Sequence, residues 1–135
     1  MRSLPKSANS LLVRSTRSGS VEWQSLLAVV ATKNADGFRA YVDVVDDRRW
    51  YGKDIDALRA AMPQTASPVL FVADERALTS PELPILVVDL IQNRRPFRCV
   101  GAKLWSVDNN LNTWNMDWEE FADAVDQQGV YRGFS

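Results

Sequence analysis

Histidine is missing from this sequence altogether, and cysteine occurs once, as Cys99. Without histidine there is no Ser-His-Asp or Cys-His nucleophile pair and no zinc site with an imidazole ligand. One cysteine makes no intrachain disulfide and no cysteine zinc site. Cys99 lies in an apolar run, FRCV, where neighbouring strand residues point to opposite faces, so Arg98 does not share its side. It reads as a buried, inert thiol. Glycine is scarce and scattered, with six residues and no GxGxxG or GxxxxGK[ST] loop. The turn where a dinucleotide-binding fold carries its glycines reads Ser18-Gly19-Ser20. No cofactor is expected. No apolar run approaches the roughly 18 residues of a membrane span, and Met1–Ser10 is too polar for a signal-peptide core. With the lone cysteine, these absences predict a cytoplasmic protein with no membrane partner.

What is present fits one globular domain. The 135 residues are 46% hydrophobic and 24% charged, enough to bury a core. The net charge of −1 is unevenly spread. Residues 1–20 hold Arg2, Lys6, Arg14 and Arg17 and no acid, whereas residues 107–135 hold six acids against Arg132 alone, a net −5. No concentrated basic stripe stands out, so nucleic acid is not an expected partner.

Along the chain, Leu11–Arg14 predicts a first strand, and Ser20 is placed to cap a helix over Val21–Thr32 with Trp23, Leu26, Leu27 and Val30 inward. Phe38–Val45 reads as a second strand after the Asn34–Gly37 turn. Asp54 precedes a short helix over Ile55–Met62, and Pro63–Pro68 is a loop. Val69–Ala73 and Ile85–Leu90 are continuously apolar, as strands covered on both faces are. Asp74–Ser80 between them suits a helical turn. Phe97–Val100 is the fifth strand, hairpin-paired with the fourth. Ala102–Asn110 reads as a helix, followed by a cap-rich polar run. Asp117 then caps an amphipathic helix with Trp118, Phe121, Ala122 and Val125 on one face, stopped by Gly129. Val130–Ser135 is a tail with Tyr131 and Phe134. The fold predicted is a single α/β domain with a mixed, partly parallel, five-stranded sheet and helices packed on its faces.

Two groups of residues carry candidate chemistry. Asp46, Asp47, Asp74 and Asp89 follow or end strands. If those strands are parallel neighbours, the four carboxylates would converge on Mg²⁺ and support phosphoryl transfer or hydrolysis. Arg48, Arg49 and Arg76 lie beside them and offset their charge, so no metal is assigned. The other group is aromatic and acidic. Of five tryptophans, Trp23, Trp105 and Trp118 fall on apolar helix faces, whereas Trp50 (with Tyr51) and Trp114 lie in polar loops. Aromatics in such settings are typical of protein interfaces. Glu119, Glu120 and Asp123 fall on the outward side of the last helix and favour a basic partner. These features point to a non-enzymatic protein-binding domain, such as an immunity or antitoxin protein, with a basic partner such as a toxin. The alternative is the metal-dependent enzyme.

Two resemblances bear on this reading. Trp50–Leu58, WYGKDIDAL, resembles a segment of the barstar family of ribonuclease inhibitors, with Asp54 in place of an asparagine and Arg59 in place of a tryptophan. That likeness implies toxin neutralisation. The segments SLPKSANSLLVR, DGFRAYVDVVDD, ALTSPELPILVVDL and LWSVDNNLNTWNMDWEEFADAVDQQGVYRGF are together similar to a family of short uncharacterised bacterial proteins, common in actinobacteria and pseudomonads. This second resemblance runs from about Leu4 to Phe134. It implies a stand-alone domain and transfers no site.

Overall fold

Alternating strands and helices build a mixed sheet in this chain. The computed structural model describes residues 3–63 and 67–133; Arg2, Phe134 and the middle of the Pro63–Pro68 loop lie outside them. The first half runs β1 (Ser10–Arg14), α1 (Ser20–Ala31), β2 (Val42–Val45), α2 (Ile55–Ala60) and β3 (Val69–Ala73). The second runs α3 (Glu75–Thr79), β4 (Pro84–Asp89), β5 (Phe97–Val100), α4 (Leu104–Asn112), α5 (Trp118–Ala122) and β6 (Val130–Tyr131). The strand order is β2-β1-β3-β4-β5-β6. β1 is parallel to both β2 and β3, β4 is antiparallel to β3 and β5, and β6 is parallel to β5. We call the end at which β1, β2 and β3 finish the upper end.

Period-two alternation divides the core between the two faces. Leu12, Phe71, Val87 and Cys99 point one way, beneath Trp23 and Leu26 of α1, Leu104 and Val107 of α4, and Phe121 of α5. Leu11, Val13, Leu70, Val72 and Val88 point the other way, beneath Leu58 of α2, Leu4 and Trp50. Both faces of the central strands are therefore covered, which accounts for their unbroken apolar sequence. Among the described residues no helix is long and apolar enough to cross a membrane.

The structure corrects the sequence reading in several places. The sheet has six strands rather than five, because Val130–Tyr131 adds to β5. Two residues are too short to show an alternation. β2 begins at Val42 rather than Phe38, because the preceding segment hydrogen-bonds to α4 instead: the Tyr41 N–H donates to Asp108, and Asn109 donates to the Arg39 carbonyl. The cap of α1 is Gly19, in the left-handed region at φ 71°, rather than Ser20. α4 continues to Asn112 and absorbs half of the cap-rich run. α5 ends at Ala122, seven residues short of Gly129, because the Asp126 side chain takes the N–H groups of Gln128 and Val130 and folds the chain back toward β6. Cys99 is buried as expected, and burial pushes its thiol pKa up.

Candidate functional site

The chain leaves β1 for β2 on one side and leaves β3 for β4 on the other, which makes the upper ends of β1 and β3 a topological switch point. Open α/β sheets bind ligands in such a crevice. Here one side chain fills it. Arg14, at the last position of β1, has its guanidinium between the rings of Trp23 and Tyr51, 5.7 and 5.3 Å from their centroids. It donates to the carbonyls of Thr16, Arg17 and Ser18 and to the Ser20 hydroxyl, and lies 3.5 Å from Asp46. Tyr51 closes the arrangement by donating to Asp46 at 2.5 Å, and that bond raises the phenol's pKa. The Gly52 N–H donates to the Ser15 carbonyl across the top.

The four aspartates are consequently apart. Asp46 is held by Arg14 and Tyr51. Asp47 pairs with Arg49 and caps the 3-10 turn Arg48–Trp50. Asp74 caps α3 and makes a two-pronged ion pair with Arg98, at 2.7 and 2.8 Å. Asp89 stands opposite Val69, at the other end of the sheet, because β4 runs antiparallel to β3. Among the described residues no group of three or more acids or other ligand side chains comes close enough to hold a metal ion.

The lower end is built differently. Asp89 is buried and accepts from the backbone N–H groups of Ile91, Gln92 and Arg94 and from the Arg94 guanidinium. Burial works to raise its pKa, but these donors, Arg94 first, outweigh it and hold the carboxyl below its ordinary value. The side chain thereby fixes the turn from β4 into Arg94. Arg94 lies over the Trp118 ring at 5.7 Å and reaches Glu119 at 3.2 Å. A pocket of about 170 Å³ opens on one side of this ridge, with Pro68, Ile91, Trp114 and Met116 in its walls. A second of about 290 Å³ opens on the other, floored by Phe97, Trp118, Ala122 and Val125.

Trp114 is the unusual residue here. The Trp114 N–H bonds to the Leu111 carbonyl and the Asn115 N–H to the Asn110 carbonyl, closing α4 in a Schellman motif. Trp114 is the residue just past the helix in this motif and takes φ 58°, a position usually held by glycine. Here it holds the bulkiest side chain, 67% exposed, with Ile91 at 55% beside the same pocket. A large non-glycine residue in this region is strained by about 1–2 kcal/mol.

Next to this surface lies a buried polar cluster. Asp108 of α4, 4% exposed, accepts from the Tyr41 N–H and from Asn112, which also donates to Ser10. Ser10 and Ser67, at the starts of β1 and β3, share a 2.6 Å hydrogen bond. Burial pushes the Asp108 carboxyl up to about 6, against the lowering pull of its Tyr41 and Ser10 partners. The sequence reading passed over Asp108. Its signal was position: four residues after Leu104 and three before Leu111, it falls on the apolar face of its helix.

The expected partner-binding residues thus separate into three places. Trp50 is 6% exposed and belongs to the core beneath α2, so it offers no surface. Tyr51 closes the switch point. Trp114 is exposed at the lower end, as are Glu119, Glu120 and Asp123 on α5 and at its C-terminus. Glu120 is engaged in a capping box with Asp117, and Glu119 pairs with Arg94.

A family model for a domain of unknown function, DUF6924, matches residues 9–134. The chain belongs to this family. No curated protein matches it.

Proposed function

We propose that this domain binds another protein through the lower end of its sheet, with Trp114 as the apolar anchor and the acids of α5 as its border. The partner presents a basic surface, as a toxin does to its immunity protein or antitoxin. The observation that carries the reading is Trp114, a large aromatic in a strained backbone conformation and mostly in solvent. Residues held so at a stability cost mark functional surfaces, and tryptophan is enriched among the few residues that dominate interface energies. Ile91 and the neighbouring pocket widen the apolar contact. Asp117 lines the same pocket as Trp114, Glu119 and Asp123 line the pocket beyond the Arg94 ridge, and all are exposed with Glu120, so this end is bordered by acids despite Arg94 and Arg95. Such a border accelerates encounter with a basic partner and loses its effect as salt screens it.

The test is capture from the native host, followed by titration of the identified partner in purified form. Trp114→Ala is expected to weaken its affinity at least tenfold, on the scale of about 1.4 kcal/mol per decade. A Glu119→Lys, Asp123→Lys double variant, which leaves the Glu120 cap intact, is expected to slow association and remove its salt dependence. A purified partner that binds wild type and Trp114→Ala equally well refutes the proposal. The metal-dependent alternative gains nothing from the separated aspartates.

A further inference from the structure

We infer that a polar pocket beside α4 binds a small primary ammonium ion, such as the charged end of an aliphatic amine, with Asp108 as its counter-charge. The pocket shares no residue with the one beside Trp114 and stands as a site whether or not the lower end binds a protein.

The pocket has a volume of about 350 Å³, and every residue around it except Ala8 carries a polar side chain. Pockets of roughly 300 Å³ and above take small organic ligands. Asp108 stands in its wall, 4% exposed, and makes no ion pair with a lysine or arginine among the described residues. Arg39, the base nearest in sequence to Tyr41, is directed over the Tyr41 ring instead, at 4.4 Å. α4 has no basic residue in its last turn, so no base of its own offsets the partial negative charge of its C-terminus. A buried carboxylate in that turn sets one negative charge beside another and costs stability. A bound cation relieves both.

The hydrogen bonds around the pocket say which cation fits. Its donors are already committed. The Tyr41 N–H and the Asn112 amide donate to the Asp108 carboxylate, and Asn112 also reaches the Ser10 hydroxyl. Asn109 gives its amide hydrogens to the Arg39 and Trp105 carbonyls, and the Thr113 hydroxyl donates to the Asn109 carbonyl. Only the exposed Asn9 and Tyr41 keep a free side-chain donor. What is left over is acceptor capacity, on the Asn109 Oδ1, the Thr113 Oγ1 and the carboxylate. That calls for a ligand with several N–H donors and a positive charge. Both carboxylate oxygens already accept a bond, one from Tyr41 and one from Asn112, so no free edge remains for a two-pronged guanidinium. Mg²⁺ is poorly served by a single carboxylate, and no group of three metal-binding side chains forms among the described residues. A compact ammonium, with three donors that can turn toward separate acceptors, matches what the pocket offers.

Titration with propylammonium chloride, followed by backbone amide shifts in NMR, tests this. At about pH 8 the Asp108 carboxyl, with its pKa of about 6, is ionised. The wild type is expected to saturate with a millimolar Kd, the scale for a very small ligand held by one charge. The largest shifts should fall on Tyr41, Asp108, Asn109 and Thr113. Sodium propionate and 1-propanol, close to it in size, are expected to leave these signals in place. Asp108→Asn, shown folded by circular dichroism, should lose the saturable response. Thr113→Val, at an exposed position, should weaken binding several-fold, and it keeps the test open should Asp108→Asn fail to fold. Trp114→Ala should bind as the wild type does. A wild type that shows no saturation up to about 100 mM overturns the inference. So does an equal response to propionate or propanol, undiminished binding by Asp108→Asn or Thr113→Val, or binding lost in Trp114→Ala instead.

Discussion

At the upper end of the sheet the charged groups are spent on one another. Arg14 satisfies three loop carbonyls and Asp46, Arg98 clasps Asp74, and Arg132 clasps Glu82. At the lower end Asp89 is paired with Arg94, but the Asp108 carboxyl is buried with no ion pair among the described residues, and two large apolar side chains, Trp114 and Ile91, stand in solvent. Doubly wound sheets usually place their ligands at the first of these ends. In this chain an internal arginine occupies the place a ligand would take there, and the features that packing leaves unexplained lie at the other end. Fold topology alone would have directed attention to the end where the charged groups are already satisfied.

The largest effect expected is at the upper end. Arg14→Ala removes the donor to three carbonyls, leaves Asp46 without its cation and empties the space between Trp23 and Tyr51. We expect a loss of about 3–4 kcal/mol in urea unfolding at neutral pH. Glu119→Ala, which breaks the exposed Arg94 pair at the lower end, should lose about 0.5 kcal/mol or less. Equal losses at the two sites would mean that the upper seal is no more integral than a surface ion pair.

The next effect depends on pH. An unfolded aspartate has a pKa of 3.8, and folded Asp108 titrates near 6, so between these values the folded state holds more protons than the unfolded one. Stability from this group is therefore greatest at low pH and is lost as pH rises through the window, by about 2–3 kcal/mol in all. Asp89 acts in the opposite sense. Its lowered pKa contributes stability above the unfolded value, and that contribution disappears as pH falls. Comparing wild type with Asp108→Asn isolates the first effect. The stability of the wild type relative to the variant should fall by about 2–3 kcal/mol from pH 4 to pH 7. A difference that stays flat across that range would show that Asp108 carries no such shift.

The frame of the fold was legible in the residues. The apolar runs at Val69–Ala73 and Ile85–Leu90 gave the central strands, and the Asp54 and Asp117 caps fall where side-chain chemistry places them. Direction was the weak point. Nothing in Ile85–Leu90 says that β4 runs antiparallel, and that reversal alone sends Asp89 to the far end from Asp46 and Asp74. The site was legible only in part. Trp114 stood out in a polar loop, but so did Trp50, whose exposure depends on α2 and Leu4 arriving from elsewhere in the chain. Arg14 looked like one charge of a basic start. Its burial needs Trp23 and Tyr51 brought together by tertiary structure.

The smallest effect bears most directly on function. Trp114 holds a position that closes α4 equally well with glycine, and its φ of 58° is one that glycine adopts without strain. Trp114→Gly releases about 1–2 kcal/mol of backbone strain and gives back part of it through the greater freedom of the unfolded chain. The net expectation is a gain of about 0.5–1 kcal/mol, read as a higher urea midpoint with an unchanged slope. Trp114→Ala keeps the strain and loses only the ring, so it should fall close to wild type. If the ring instead serves packing, through Leu111 and Met116 in the pocket wall, both variants will lose stability and lose it together. A gain in the glycine variant alone, accompanied by loss of the partner, is the pattern of a residue kept for binding at the expense of the fold. The sign of one small change at position 114 therefore distinguishes an anchor from a core residue at the surface.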